Sequence, residues 1–271
     1  MNASSIRIPL ALLVGASVLA GCPRPHRPGP YDPMLADLGP TAEPLPEGEE
    51  ALLAAADEAA AHGPESAYMV RSLRCANAVL AERPDDQEAA WRAARALYFL
   101  SELAGGGDEA ADLAARCIDI SAVATRSGDS AAGFYYAALC MGARAQVRSL
   151  EAIGLLPQMV DAGRTALELD PLVVHAGPHR LLGGIYLRAP AWPTSVGDID
   201  EALTQLGKAV ALAPDWAENQ LFWAEALEAD ERTEEARAAL AEAERLMAVP
   251  EMAAWARLWA ADVEKLKKKL R

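Results

Sequence analysis

Few residues in this chain have the chemistry to act on a ligand. Its 271 residues include four cysteines and four histidines. His175 and His179 have the i, i+4 spacing that brings two imidazoles to one helix face, as in zinc sites. Gly177 and Pro178 lie between them, and no carboxylate or third histidine is close in sequence, so they read as polar residues at a helix start. His26 falls in a proline-rich stretch and His62 at a predicted helix end. Gly105-Gly106-Gly107 would suit a phosphate loop if Lys-Ser or Lys-Thr followed. Asp108 follows instead and would repel phosphate, which predicts a turn and an N-cap. There is no G-x-S-x-G motif and no Ser/His/Asp set. Paired acids such as Glu234-Glu235 fall on a predicted solvated helix face. No catalytic residue, metal site or cofactor is expected, and an enzyme is not the expected class.

The remaining reactive group is the thiol of Cys22. Residues 1–21 have the layout of an export signal, with Arg7 as the early positive charge and an apolar stretch from Ile8 to Ala20 that is short for a membrane span. The stretch ends in Leu19-Ala20-Gly21-Cys22, which resembles a bacterial lipobox. That resemblance implies that Cys22 becomes the first mature residue and carries acyl chains, each buried CH₂ contributing roughly 0.8 kcal/mol to membrane attachment. Residues 22–48 then read as a lipidated, extended tether, because Pro23, Pro25, Pro28, Pro30, Pro33, Pro40, Pro44 and Pro46 exclude helix and sheet. Export to an oxidising compartment would permit one disulfide among Cys75, Cys117 and Cys140. Cys117 and Cys140 sit on neighbouring predicted helices. The sequence leaves open whether they pair or remain, with Cys75, as buried thiols.

The elements that would carry any site are helices. Hydrophobic residues make up 52% of the chain but aromatics only 6%. Alanine fills the difference, which suits closely packed helices. The net charge of -14 argues against a nucleic-acid partner. From residue 49 onward, helical stretches alternate with short breaks near Gly63-Pro64, Pro84–Asp86, Gly105–Gly107, Gly128-Asp129, Pro157, Pro171, Pro190–Gly197, Pro214, Asp230–Thr233 and Pro250, predicting ten or eleven helices. Ala202, Leu206, Ala209 and Leu212 recur 34 residues later as Ala236, Leu240, Ala243 and Leu246. That period and the Leu182, Gly183, Tyr186 pattern resemble the tetratricopeptide repeat, which implies an all-α solenoid of stacked helical hairpins over residues 49–271. The next unit places Trp223, Ala224 and Leu227 at the equivalent positions. Residues 251–271, with Trp255, Trp259 and Leu266, read as a terminal capping helix with a charged outer face and a basic end at Lys265, Lys267, Lys268, Lys269 and Arg271.

One unit breaks the period. Pro171 and Pro214 are 43 residues apart, and the excess lies between Tyr186 and Asp198, where Trp192 sits between Pro190 and Pro193. Asp198 with Glu201 predicts a capping box that restarts the helix. Arg188 and Trp192 are candidates to line a ligand or partner site; the alternative is that Trp192 folds back and plugs the neighbouring helix pair.

The segments Gly177–Tyr186, Ala189–Asp198, Ala213-Pro214-Asp215 and Asn219–Leu227 resemble the TatT-type T components of tripartite ATP-independent periplasmic (TRAP) transporters. The resemblance implies a lipoprotein facing the periplasm that docks a substrate-binding protein, with trimer assembly and a channel for small apolar ligands among the features it brings. The candidate ligand or partner residues are Arg180, Tyr186, Arg188, Trp192, Asn219 and Trp223. The alternative is a tetratricopeptide lipoprotein that serves as an assembly or pilot factor for an envelope machine.

Overall fold

The computed structural model describes residues 43–191 and 193–271. The expected signal, Cys22, most of the tether and Trp192 lie outside these described residues. Among the described residues eleven α-helices follow one another: α1 (Glu49–Ala61), α2 (Ser66–Glu82), α3 (Gln87–Ala104), α4 (Gly107–Ala124), α5 (Ala131–Val147), α6 (Ser149–Leu169), α7 (Val173–Arg188), α8 (Ile199–Leu212), α9 (Ala217–Ala229), α10 (Thr233–Met247) and α11 (Ala253–Lys269). A 3-10 turn, Pro250–Met252, precedes α11. Among the described residues there is no β-strand; an isolated bridge between Ala191 and Gly197 closes the long α7–α8 loop. Also among them, no helix is long and apolar enough to cross a membrane.

Consecutive helices pack as antiparallel hairpins, and each hairpin stacks on the next. The odd-numbered helices also touch one another in series, α1–α3–α5–α7–α9–α11, whereas no continuous series links the even-numbered ones. The odd helices therefore line the inside of the curve. The repeating residues explain the spacing. Ala202, Leu206 and Ala209 in α8, and Ala236, Leu240 and Ala243 in α10, are buried. Gly183 of α7 lies so close to α8 that a Cβ there would stand 2.5 Å from Cγ of Leu206. The fourth residue of the pattern behaves differently: Leu212 is 45% exposed.

Turn chemistry sets several helix starts. The side chains of Asp86, Ser130 and Asp198 accept from the backbone N–H groups of Ala89 (2.7 Å), Gly133 (3.0 Å) and Glu201 (3.1 Å). Asp198 caps α8 as expected, but Glu201 does not reach back; its carboxylate accepts from Gln205 at 2.7 Å instead. At the glycine run, Gly105, Gly106 and Gly107 all adopt positive φ, and Gly106 takes the N-cap position without a side-chain bond. Asp108 thus sits inside the first turn of α4, not at its cap, and pairs with Arg148 at 2.6 Å.

Pro157 does not separate two helices. α6 runs through it, and the break falls at Arg148, between α5 and α6. A proline inside a helix lacks one donor and crowds the preceding turn. The Gln158 side-chain amide donates to the Gly154 carbonyl at 2.9 Å in the turn beside it. Cys117 and Cys140 are joined by a disulfide that ties α4 to α5, while Cys75 is a buried free thiol.

The helix α11 does more than cap the end of the stack. Trp259, Val263, Leu266 and Leu270 pack on α9 and α10 in one hydrophobic cluster. Its first turns reach back to the opposite end: Ala254 lies against Gly63, Arg257 pairs with Glu65, and Trp255 meets Phe99 of α3 edge-on at 5.3 Å. The solenoid is thereby closed on itself.

Candidate functional site

The inner layer is most distinctive where α7 begins. Val174, His175 and Ala176 have φ of 51°, 57° and 59°, a left-handed turn built without glycine. Such backbone costs about 1–2 kcal/mol per residue, so neighbouring groups must hold it. The right-handed course of α7 starts at Gly177, which places Pro178 at the beginning of a helix, where its missing N–H is harmless.

Arg180 is the clamp. Its guanidinium, 3% exposed, donates to the carbonyls of His175 (3.1 Å) and Val174 (3.4 Å), to Oδ1 of Asn219 (2.6 Å) and to the Tyr135 hydroxyl (3.0 Å), and pairs through Nε with Glu218 (2.8 Å). Asn219 completes the junction: its Nδ2 donates to the carbonyls of His175, Ala209 and Ala213 at 3.1, 3.2 and 3.0 Å. Charged hydrogen bonds of this kind are the strong ones, and their fork geometry suits arginine. The Tyr135 ring lies against Gly177, where a Cβ would stand 2.7 Å from it. Burial holds the Tyr135 hydroxyl above its usual range, partly opposed by Arg180, so it serves as a neutral acceptor.

Beside this clamp an aromatic and acidic layer is packed between α11 and the inner helices. His175 stacks on Trp216 at 4.1 Å, and Trp216 meets Trp255 and Trp259 edge-on at 5.3 and 5.9 Å. Burial, reinforced by Arg180, holds the His175 imidazole below its usual 6.5, with Glu218 acting in the opposite sense. Tyr98 is pushed well above its ordinary range by burial, with Glu102 and Glu218 adding to the effect. Burial also raises the Glu102 carboxyl, and Asp262 and Glu218 raise it further. Where α7, α9 and α11 meet, a cleft of about 200 Å³ is lined by residues that include Arg188, Glu225, Asp262, Lys265 and Lys269. Arg188 pairs with Glu225 and lies 4.3 Å over the Phe222 ring. Burial raises Glu225 despite Arg188, with Asp262 adding to it.

The candidate residues from the sequence are thus distributed over several places. Arg180 and Asn219 meet at the α7 clamp, and their polar atoms engage the protein's own backbone and side chains. Arg188 lies at the cleft. Tyr186 is buried on the side facing α6, where its hydroxyl accepts from Arg164 at 3.1 Å. Trp223 packs over Gly207 and faces Arg232 at 5.9 Å, between α8, α9 and α10. Trp192 and Cys22 are outside the described residues. His179 donates from Nδ1 to Gln205 at 2.6 Å, and no cluster of metal-ligating groups occurs among the described residues. Sequence reasoning missed Tyr135, Glu218 and Trp216, which are remote in sequence from the α7 residues they serve; Tyr135 and Arg180 are 45 positions apart. A lone arginine in an apolar helix segment beside Gly-Pro is the one available signal that partners must converge there.

A thermophilic TPR protein from Thermus thermophilus, TTC0263, superimposes on the chain with a TM-score of 0.55 at 22% identity, covering 80% of this chain and all of that one. The fold is tetratricopeptide-like. The MamA protein is a more distant likeness, with a TM-score of 0.45 and 16% identity over 73% of this chain and 91% of that one. No family model and no curated protein matches the chain.

Proposed function

We propose that the protein is a lipid-anchored docking module of a bacterial envelope, which binds protein partners through the inner face of its solenoid and catalyses no reaction. The inner layer carries this reading. At the cleft where α7, α9 and α11 meet, Arg188 over the Phe222 ring, Glu225, Asp262, Lys265 and Lys269 set charged groups beside an aromatic one on a rigid frame, which suits recognition of a protein partner. The fold belongs with scaffolds that bind other proteins. The Cys117–Cys140 disulfide favours an oxidising compartment, in keeping with the Leu19-Ala20-Gly21-Cys22 signal.

Within this reading, the TatT-like segments at 177–227 favour the T component of a TRAP-type transporter, with a periplasmic substrate-binding protein as partner, a small apolar ligand as cargo and a trimer as the assembled form. The partner surface would include Arg188 and the neighbouring Trp192 loop. Two experiments test it. Cys22→Ala should move the protein from the membrane fraction to the soluble periplasmic fraction; unchanged partitioning contradicts the anchor. Purification from envelope extracts should return a stoichiometric complex with a solute-binding protein; a complex with an envelope-assembly component instead would favour the pilot-factor alternative.

A further inference from the structure

Cations are the minority charge of this chain, 25 Lys and Arg against 39 Asp and Glu, yet five of the last seven residues are cations. A run of this kind at a helix end is ordinarily a solvated turn that complements the helix dipole. Here the turn is fixed and its cations are divided. Leu266 and Leu270 are buried in the cluster shared with α9 and α10, and the Leu270 carbonyl accepts from the Arg237 guanidinium at 3.0 and 2.7 Å. Lys267 turns toward α10, where it meets Glu244 at 2.5 Å. Lys265 and Lys269, at i, i+4 on one helix face, line the cleft between α7, α9 and α11.

Arg188 reaches the same cleft from α7. Its guanidinium lies 4.3 Å over the Phe222 ring, in the space left by Gly184, where a Cβ would stand 2.9 Å from both groups. The charges are layered. Glu225 and Glu228 of α9 lie deep, with side chains 21% exposed, while the cations paired with them, Arg188 and Lys269, stand 50% and 51% exposed. Each of these cations spends one donor on its glutamate, and a guanidinium or an ammonium has more. The exposed charged residues of the lining are Arg188, Lys265, Lys269 and Asp262, so the mouth is net positive. Leu187 and Leu266 make part of the lining apolar.

Size and charge select the occupant. The cleft of about 200 Å³ is smaller than the roughly 300–1,000 Å³ of small-molecule pockets, and it suits one protruding side chain. A flat bilayer does not enter a cleft, and the net charge of -14 repels an anionic one. We infer that the cleft receives an acidic segment of a protein partner: a large apolar side chain enters between Leu187 and Leu266, and a carboxylate beside it takes the spare donors of Arg188, Lys265 and Lys269. This inference rests on the reading of the cleft as a docking site and names the chemistry of what docks.

The test selects random peptides displayed on phage against the purified full chain, then measures the enriched peptide by fluorescence anisotropy. The enriched sequences should place Asp or Glu next to Phe, Leu, Ile or Met. Binding should weaken as salt rises from about 50 to 500 mM. Lys265→Glu should weaken it at least about fivefold, and Lys208→Glu on α8 should leave it unchanged. Lys265 is exposed, so its variant should keep the parent's Tm; Arg188→Glu is the second variant and should weaken binding too. Enriched peptides without acids, or an acidic peptide indifferent to Lys265→Glu, would overturn the inference. So would Lys265-dependent binding to phosphatidylglycerol vesicles with no acidic peptide enriched, which would assign the cations to lipid. Protein adducts from Arg188 in cells, alongside a basic or neutral consensus, would leave the docking reading standing and remove the acidic segment alone; neither adducts nor enrichment would remove both.

Discussion

The α7–α8 and α9–α10 hairpins and the α6–α7 junction are neighbours built on different principles. In the hairpins, small residues meet large ones at fixed spacing: Gly183 under Leu206, Ala202 and Ala209 around it, and the same arrangement repeated at Ala236, Leu240 and Ala243. The contacts of these positions are apolar and local to one pair. At the junction, a left-handed turn is held by Arg180, Asn219, Glu218 and Tyr135, drawn from three helices. Packing tolerates partial loss, because neighbours relax into the gap. A buried polar network does not, because each partner left behind is an unpaired polar group.

The largest loss should come from Arg180→Ala. It strands Glu218 and two strained carbonyls, and should destabilise by about 3–5 kcal/mol in denaturant unfolding; Arg180→Lys should recover little, since an ammonium cannot reproduce the fork. A loss under about 1 kcal/mol would mean that the junction is held by packing alone. Reduction of the Cys117–Cys140 bond, which spans 23 residues, should cost about 3 kcal/mol and lower the Tm, on the chain-entropy account. Identical melting with and without reductant would show the tie to be energetically idle.

Within the hairpins, Gly183→Ala drives a methyl into Leu206 and should cost about 1–3 kcal/mol. Leu212→Ala, at the exposed repeat position, should stay within about 0.5 kcal/mol. Equal effects would sink the assignment of close packing to the first three repeat positions. The smallest effect concerns charge. The Glu102 carboxyl titrates above its ordinary 4.5 in the folded state. The native state thus holds this proton more tightly than the unfolded chain, and the contribution is fully present below pH 4.5 and lost as pH rises through the folded value. Glu102→Gln should therefore raise the Tm at about pH 7.5, with the gain shrinking toward about pH 4.5. His175, held below 6.5, works in the opposite sense: its contribution is present above pH 6.5 and lost as pH falls through its lowered value. Variant and parent are accordingly compared at each pH.

The same contrast explains what could be read from the chain alone. The repeat at 202–212 and 236–246 was legible because a hairpin's needs recur every 34 residues, and the stops at Pro171 and Pro214 mark its edges. Pro157 misled because α6 runs through it while the actual break falls at Arg148, a residue that no breaker rule marks. Arg180 and Asn219 were candidates through the TatT-like segments that contain them, but the partners Tyr135 and Glu218 of Arg180 come from other helices, so local pattern could not separate a ligand contact from an internal clamp. The return of α11 to Gly63 and Glu65 depends on the summed curvature of the stacked hairpins, which accumulates from small angles at every interface.

The docking role of the inner face is tested most directly by photo-cross-linking in living cells from paired surface positions. Inner-face probes at Arg188 and Asp262 are set against outer-face probes at Lys208 and Ala241, both exposed on the even-numbered helices. Partner adducts are expected from the first pair and none from the second. Adducts confined to Lys208 and Ala241 would contradict a docking surface on the inside of the curve.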